Sequence, residues 1–383
     1  MWAGEGQKRA DACDVVVVGA GLVGAAVATR LIEEGFDVAV LEAQNIADGA
    51  TERSAGMVLT GLAGHYNWAV AAYGRQKARE VWELTVEGRR RLVENARKLE
   101  VPVGCTGSLS LAVEDVEADA LEESVELLRE DGFDAQFLSS DPLARGFRAA
   151  LHHPDDVVVD AVALTKAILS SGQVTVHEGT EVYSLEPERG SVRVWAQGRT
   201  VLCSAVVLAV NGYASLLDSY FSEKVVPTRG LVLVTEPLNE VALEQPCRAD
   251  YGYEYCRQLP NRRLLLGSRR GPRSSDQRRG EKAGQGGSGG NEPGDALQED
   301  LLRFASRHFP EVETRIAHRR SGLMGFTPDG LPLLGRLPGL PQVYFTVGLG
   351  GQGLAWTFVL AERLVELMLN DADPGPLSAT RLD

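Results

Sequence analysis

The run Asp14-Val15-Val16-Val17-Val18 passes directly into Gly19-Ala20-Gly21-Leu22-Val23-Gly24, and this juncture leaves little freedom in what the chain can fold into. Consecutive β-branched residues with no polar alternation belong in a strand buried on both faces, as in a parallel sheet. An Ala-rich stretch to about residue 34 reads as a helix, and residues 37–41 as a second strand. Between strand and helix each glycine has a physical reason: the first allows a tight turn, the second lets backbone approach a pyrophosphate, and the third lets the helix pack closely. The free amides at the helix start then meet negative charge. Glu42 ends the second strand 18 residues after Gly24, where a carboxylate can accept both ribose hydroxyls of an adenosine. It would repel a 2′-phosphate, so the pattern favours FAD or NAD over NADP.

At 383 residues the chain is long for one core and suits two interleaved domains. Its 39 Lys and Arg stand against 53 Asp and Glu, a net charge of −14, and that field repels phosphate backbones and anionic lipid. Nucleic acid is therefore not an expected partner. A basic cluster of Arg262, Arg263, Arg269, Arg270, Arg273, Arg278 and Arg279 runs into a Gly- and Ser-rich stretch, 280–294, and lacks interleaved aromatics. It reads as a solvated loop. The five cysteines (Cys13, Cys105, Cys203, Cys247 and Cys256) are scattered and contain no C-x-x-C, which points to neither a disulfide framework nor a zinc site and fits a reducing cytoplasm. No signal-like or membrane-spanning run is present, so neither secretion nor membrane insertion is expected.

Further along, the periodicity predicts one long helix over 68–99, a strand over 107–113, an acidic helix over 118–130 and a helix over 160–170. Residues 175–177, 180–185, 191–196 and 200–202 alternate as a small antiparallel meander would, and 205–210 is again continuously apolar. Residues 227–266 are strand-rich, with Tyr251, Tyr253 and Tyr255 spaced to share one face of a strand. A helix over 296–307 follows. The chain closes with a strand over 343–347, a glycine turn over 348–353 and a helix to about 369.

That closing segment, together with Phe326-Thr327-Pro328-Asp329-Gly330-Leu331-Pro332-Leu333-Leu334-Gly335, resembles the C-terminal signature of the D-amino-acid-oxidase-like flavoproteins, which include glycine, sarcosine and γ-glutamylputrescine oxidases. Gly49-Ala50-Thr51 and Ser54-Ala55-Gly56 after Glu42, the stretch 157–160 and the strand and turn 205–212 extend the likeness over nearly the whole chain. The resemblance implies an α/β fold with a discontinuous Rossmann-like FAD-binding domain (1–100, 151–218 and 323–383). It also implies an α+β substrate domain on a large mixed or antiparallel sheet (101–150 and 219–322). Non-covalent FAD would be held by Gly19, Gly21, Leu22, Val23, Gly24, Glu42, Ala43, Thr51, Ser54, Ala55 and Gly56, by Val182 through its backbone, and by Asn211 and Gly212. Gly348, Gly350, Gly351, Gln352 and Gly353 would close the site, with the dipole of the last helix near the flavin's pyrimidine edge.

Departures from the family pattern matter as much. The arginine that glycine oxidases carry three residues before the Thr of Thr-Pro-Asp is Met324 here, and the flavin-linking cysteine of monomeric sarcosine oxidases falls on Gly322. Their lysine two residues past the last turn glycine is Ala355. Both familiar carboxylate clamps are absent. The candidates for the reacting end are Tyr255, Tyr253, His65, Arg53 and Met324, with Tyr251, Arg229 and Arg257 as further neighbours of the substrate. The expected activity is oxidation of a C–N bond in a small amine or amino acid by hydride transfer to flavin N5, giving an imine that hydrolyses, with oxygen or a quinone as electron acceptor. A homo-oligomer is compatible with this. A flavin-binding subunit of a larger complex, or an NAD-dependent dehydrogenase, are the alternatives, and the last leaves the C-terminal glycine turn unexplained.

Overall fold

In the computed structural model, which describes residues 11–269, 294–312 and 316–383, the valine run is the centre of a sheet. Strand Asp11–Val18 pairs in parallel with Val38–Leu41 on one side and Arg199–Leu208 on the other. Side chains alternate across the sheet, so its four valines divide between two cores. Val15 and Val17 pack with helices Leu22–Glu33 and Gly353–Asn370, whereas Val16 and Val18 pack towards Val192, Val194, Phe221 and Phe345. Each fully buried aliphatic side chain contributes about 1.5–3 kcal/mol, so a polar residue at either parity would be costly.

Two of the expected strands differ. Residues 200–202 and 205–210 are one strand, Arg199–Leu208, which pairs antiparallel with Ser191–Ala196 in its first half and parallel with Leu340–Val347 in its second. Thr175–His177 is not part of the meander but the outer parallel strand beside Val38–Leu41. The preceding helix, Ala161–Ser171, explains this: Leu164 and Ile168 pack with Leu22 and Ala25 of the first helix, which delivers the chain to that edge. Asp160 caps this helix, accepting a hydrogen bond from the Ala163 amide at 2.9 Å, an interaction worth about 1 kcal/mol.

The long helix expected over 68–99 is two helices, Tyr66–Tyr73 and Arg75–Lys98, separated at Gly74 with φ +82°. The buried face changes direction at the junction, from Tyr66 and Ala69 in the first helix to Ala78, Val81 and Trp82 in the second, with the polar run Gly74-Arg75-Gln76-Lys77 between them. The second helix buries Ala78, Val81, Trp82, Thr85, Gly88, Leu92 and Ala96, a stripe at three- and four-residue spacing.

A second, mixed sheet of eight strands runs in the order Ile316–Phe326, Val226–Pro237, Arg263–Arg269, Glu254–Gln258, Cys247–Ala249, Ser108–Leu111, Ala150–His153, Gln136–Leu138. All neighbours are antiparallel except Cys247–Ala249 with Ser108–Leu111. Helix Gly294–His308 covers its outer face through Leu301 and Ala305, with Phe309 beside them. Ile316–Phe326 is a strand that the composition of its segment conceals: His318, Arg319, Arg320 and Ser321 are exposed, and pairing along Val226–Pro237 organises it. The boundary expected between 322 and 323 falls inside it. Tyr251 and Tyr253 lie in the turn before Glu254–Gln258, so the three tyrosines do not share one strand face. The glycine-rich stretch 280–293 and Arg270, Arg273, Arg278 and Arg279 lie outside the described residues. All five cysteines are free, although Cys247 and Cys256 face each other in register with sulfurs 2.6 Å apart. Among the described residues no helix is long and apolar enough to cross a membrane.

Candidate active site

The C-terminal ends of the parallel strands open into a cavity of about 550 Å³ whose opposite wall is the second sheet. Ligands of open α/β sheets bind at such strand ends, and the volume is within the roughly 300–1,000 Å³ of small-molecule sites. At one end the first glycine turn is fixed by contacts only glycine permits. Gly19 has φ +103°, and a Cβ on Gly24 would overlap the Gly19 carbonyl oxygen. Gly24 therefore brings helix against turn, while Gly21, Leu22 and Val23 line the cavity. Thr51 Oγ1 accepts a hydrogen bond from the Leu22 amide at 3.2 Å, tying the following loop to the helix start. Glu42 accepts from the Ala20 amide at 2.8 Å and the Gln44 amide at 2.9 Å, which orients its carboxylate at the cavity edge beside Ala43. Val182 lines the same end at a register shift between Val182 and Ser184.

The second glycine turn arrives from the far end of the chain. Gly348, Gly350 and Gly351 have φ of +73°, +63° and +79°, and the helix Gly353–Asn370 starts from them with its N-terminus at the cavity. Asn211 Oδ1 accepts from the Gly348 and Leu349 amides at 3.1 Å each, so the turn after Arg199–Leu208 holds the C-terminal turn in place. Gly212 packs against the Met324–Gly325 backbone instead of the cavity, and Gly348 serves the Asn211 contact. Gln352 donates to the Leu62 carbonyl at 3.0 Å, leaving its Oε1 buried without a partner among the described residues. Ser54 Oγ is in the same condition, and both residues line the cavity with Ala55 and Gly56. Two glycine turns, an acid at the ribose position and two orphaned polar atoms make a cradle that fits a dinucleotide carrying further hydrogen-bonding rings.

The sheet wall is built on glycines. Register places Arg248, Tyr255, Gly267 and Val232 in one row across the strands, and Arg269, Gly230 and Gly322 in another. Each glycine lies beneath a long side chain: the Tyr255 phenol occupies the space over Gly267, Met324 covers Gly230, and the Arg53 stem covers Gly322. Tyr255, Met324 and Arg53 thus meet at the cavity surface. Burial pushes the Tyr255 phenol up to about 12, so it stays a hydrogen-bond donor at neutral pH. The Arg53 guanidinium bends back to the Asp48 and Gly49 carbonyl oxygens, the latter at 2.8 Å.

Other sequence candidates lie elsewhere. His65 is buried behind the wall, 3.3 Å from Glu117 and against the Tyr251 ring, and is not among the cavity-lining residues. Tyr253 is not a lining residue either; its ring face carries Arg269. Arg257 donates to the Ala55 carbonyl at 2.8 Å, and Arg229 reaches Ser321 at 3.5 Å.

Two arginines of the lining escaped the sequence reading. Arg248 is 6% exposed, donating to Ser110 Oγ at 2.7 Å and to the Leu62 carbonyl at 2.8 Å. Burial lowers its pKa to about 10. Arg269 belongs to the basic cluster whose Gly-rich continuation and lack of interleaved aromatics predict a solvated loop. It is the last residue of Arg263–Arg269, and its guanidinium faces inward between the rings of Tyr253 and Phe326, with centroids 4.7 and 5.5 Å away. The available signal was parity, since Leu265, Gly267 and Arg269 share one strand face.

Comparison with known proteins agrees with this architecture. The model of the DAO family, described as FAD dependent oxidoreductase, matches residues 14–367. Glycine oxidase of Geobacillus kaustophilus (strain HTA426) is 26% identical over 394 residues, covering 96% of this chain and 97% of that protein. Gamma-glutamylputrescine oxidoreductase of Escherichia coli (strain K12) is 26% identical over 386 residues, covering 94% of this chain and 84% of that protein. The crystal structure of glycine oxidase from Geobacillus kaustophilus superposes with a TM-score of 0.78 at 23% identity, over 97% of this chain and 99% of the other, a likeness of fold.

Proposed function

The chain belongs to the DAO family of FAD-dependent oxidoreductases, and from that premise we propose that it oxidises a C–N bond of an amine or amino acid. The observation that carries this reading is the convergence of two glycine turns, from opposite ends of the sequence, on one cavity closed by a sheet carrying Tyr255 and Met324. The names of the relatives, which act on glycine and on γ-glutamylputrescine, point to the same bond type.

Bound FAD would supply the two-electron acceptor for a hydride from the carbon bearing the amine, and the imine so formed would hydrolyse in water. The protein's own contribution is positioning and exclusion of water. The Gly19–Gly24 turn and Glu42 would hold the adenosine and pyrophosphate, and Ser54 and Gln352, whose side-chain oxygens lack a partner among the described residues, would serve the remainder. Met324 lays an apolar wall over Gly230, and the Tyr255 phenol donates into the cavity beside it. Hydride departure requires a neutral amine. Among the described residues lining the sheet side there is no histidine or carboxylate, whereas Arg53, Arg248 and Arg269 are there. Their positive field disfavours an ammonium ion, so the wall itself favours the reactive protonation state.

The test is anaerobic reduction of the FAD-loaded protein by a panel of amino acids, N-methyl amino acids, primary amines and polyamines, followed by readmission of air. Loss of the visible flavin absorbance with at least one amine is expected. No bleaching with any member would refute the reading. Rapid return of colour in air identifies oxygen as acceptor, and its absence directs the search to a quinone.

A further inference from the structure

The C-terminal glycine turn reaches the cavity, but the residues beneath it do not. Its floor is the preceding turn, Thr327 to Leu331. The Gly350 amide donates to the Gly325 carbonyl oxygen at 2.9 Å, just ahead of that turn. Contact between the two turns is close: a Cβ on Gly348 would come within 2.6 Å of the Thr327 methyl group, and one on Gly350 within 3.3 Å of the Gly330 carbonyl oxygen. Groups packed this tightly shift together, so displacing the lower turn displaces the upper one. The lower turn carries bonds of its own, from Thr327 Oγ1 to the Leu331 carbonyl at 2.8 Å and from the Gly330 amide to the Thr327 carbonyl at 3.1 Å.

One side chain from beyond the last helix locks this floor. Arg381 follows a bridge between Ser378 and Leu334, and its side chain is only 13% exposed. A guanidinium has five N–H donors in a fixed planar fork, and here every one has an acceptor. Nε and Nη2 donate to the two Asp329 carboxylate oxygens at 2.7 and 3.1 Å, and Nη2 donates again to the Leu331 carbonyl at 2.6 Å. Nη1 donates to the Leu377 and Ser378 carbonyls at 2.9 Å each. One planar group thus binds the floor turn on one side and its own segment on the other, with the directional specificity of a two-bond fork. Neither Arg381 nor Asp329 lines the cavity. We propose that Arg381 is a positioning residue for FAD: through Asp329 it fixes the Thr327–Leu331 turn, and so sets where the Gly348–Gly353 turn and the start of the last helix meet the cofactor. This rests on the reading that the C-terminal glycine turn contacts FAD, and it is independent of the substrate oxidised. Amides at a helix start favour negative charge, and reduction places negative charge on the flavin. A displaced turn should therefore hold oxidised FAD more weakly and reduced FAD more weakly still.

The test measures FAD dissociation constants and the two-electron flavin potential on the full chain, with melting temperature followed throughout. In Arg381→Gln the FAD dissociation constant should rise roughly 10-fold or more. Reduced FAD should lose about tenfold more affinity than oxidised FAD, which the potential reads as a fall of about 30 mV. Arg381→Lys keeps the charge but not the fork, so it should fall between the parent and Arg381→Gln, and it guards against a Gln variant that fails to fold. Asp329→Asn should match Arg381→Gln, and the double variant should be little worse than either single one, because both changes break the same link. Arg336→Gln is the control: its ion pair with Asp371 also ties down the segment after the last helix, but at the surface and away from the Asp329 turn. It should keep the parent's affinity and potential. The proposal is overturned if Arg381→Gln binds FAD as the parent does at an unchanged potential, if Arg336→Gln loses as much affinity, or if the Asp329 and Arg381 effects simply add. Gly348→Ala disturbs the upper turn directly. Lost affinity there with a parent-like Arg381→Gln sinks the proposal alone, whereas unchanged affinity in Gly348→Ala removes the cofactor contact on which it rests.

Discussion

Gly88 sits in the middle of helix Arg75–Lys98, where glycine costs about 1 kcal/mol relative to alanine, so Gly88→Ala would stabilise an isolated helix by that amount. The tertiary structure predicts the opposite sign. A Cβ at position 88 would overlap the carbonyl oxygen of Ala355, in the first turn of helix Gly353–Asn370. The obstacle is backbone and cannot rotate away. Restoring ordinary contact requires the helices to part by about 1–2 Å, and a gap of even 0.5–1 Å forfeits a quarter to a half of each dispersion contact across it. Overpacking of this kind costs about 1–3 kcal/mol, and the rigid obstacle places it near the upper end. Subtracting the helix gain of about 1 kcal/mol leaves a net loss of about 2 kcal/mol. With an unfolding entropy of about 2.1 cal/mol/K per residue, a chain of this length should melt about 2–3 °C lower. Because the displaced turn opens the helix that meets the cavity, FAD affinity should fall as well. Thermal melts of the apo and FAD-loaded forms, with a flavin titration, measure both. A melting temperature equal to or above the parent's would refute the close-approach argument.

Burial lowers the His153 pKa from 6.5 to about 4. The unfolded chain then takes up the proton first, so stability is complete above about pH 6.5 and is lost as pH falls towards 4, by about 2–3 kcal/mol at pH 4.5. Urea midpoints at pH 7 and 4.5 should converge in His153→Gln relative to the parent, and an unchanged pH dependence would contradict a buried neutral imidazole. Cys105 is the exposed thiol, while burial pushes Cys13 up to about 11 and Cys203 up to about 12. A thiol reagent at pH 8 should therefore consume one equivalent quickly in the native protein, and a fast equivalent persisting in Cys105→Ser would show that the buried cysteines are accessible.

Much of the nucleotide half was legible in the sequence because its determinants are local. Val15–Val18 declare double burial by lacking any polar partner at either parity, and Gly19, Gly21 and Gly24 mark backbone that must turn and approach closely. The helix expected over 160–170 is Ala161–Ser171, with Asp160 as its cap. Where the signal was local but weak, the reading slipped. Gly74 ends one helix and starts another whose buried stripe faces a different direction, and Ile316–Phe326 is a strand with an exposed, arginine-bearing stretch organised by pairing along Val226–Pro237.

The sequence by itself determined the cofactor class, the element types around both glycine turns and the absence of charge at Met324. Tertiary structure alone decided how each cation meets the cavity. Arg53 and Arg269 are both arginines beside polar loops in the sequence, yet one folds back onto the Asp48 and Gly49 carbonyls and the other is held inward by Tyr253 and Phe326. The Arg269 sandwich joins a turn and a strand separated by more than fifty residues, and the glycines that give Tyr255, Met324 and Arg53 their room come from three different strands. A side chain's direction depends on the strand that pairs beside it and on the space left above its neighbours, and neither is written in the residues adjoining it.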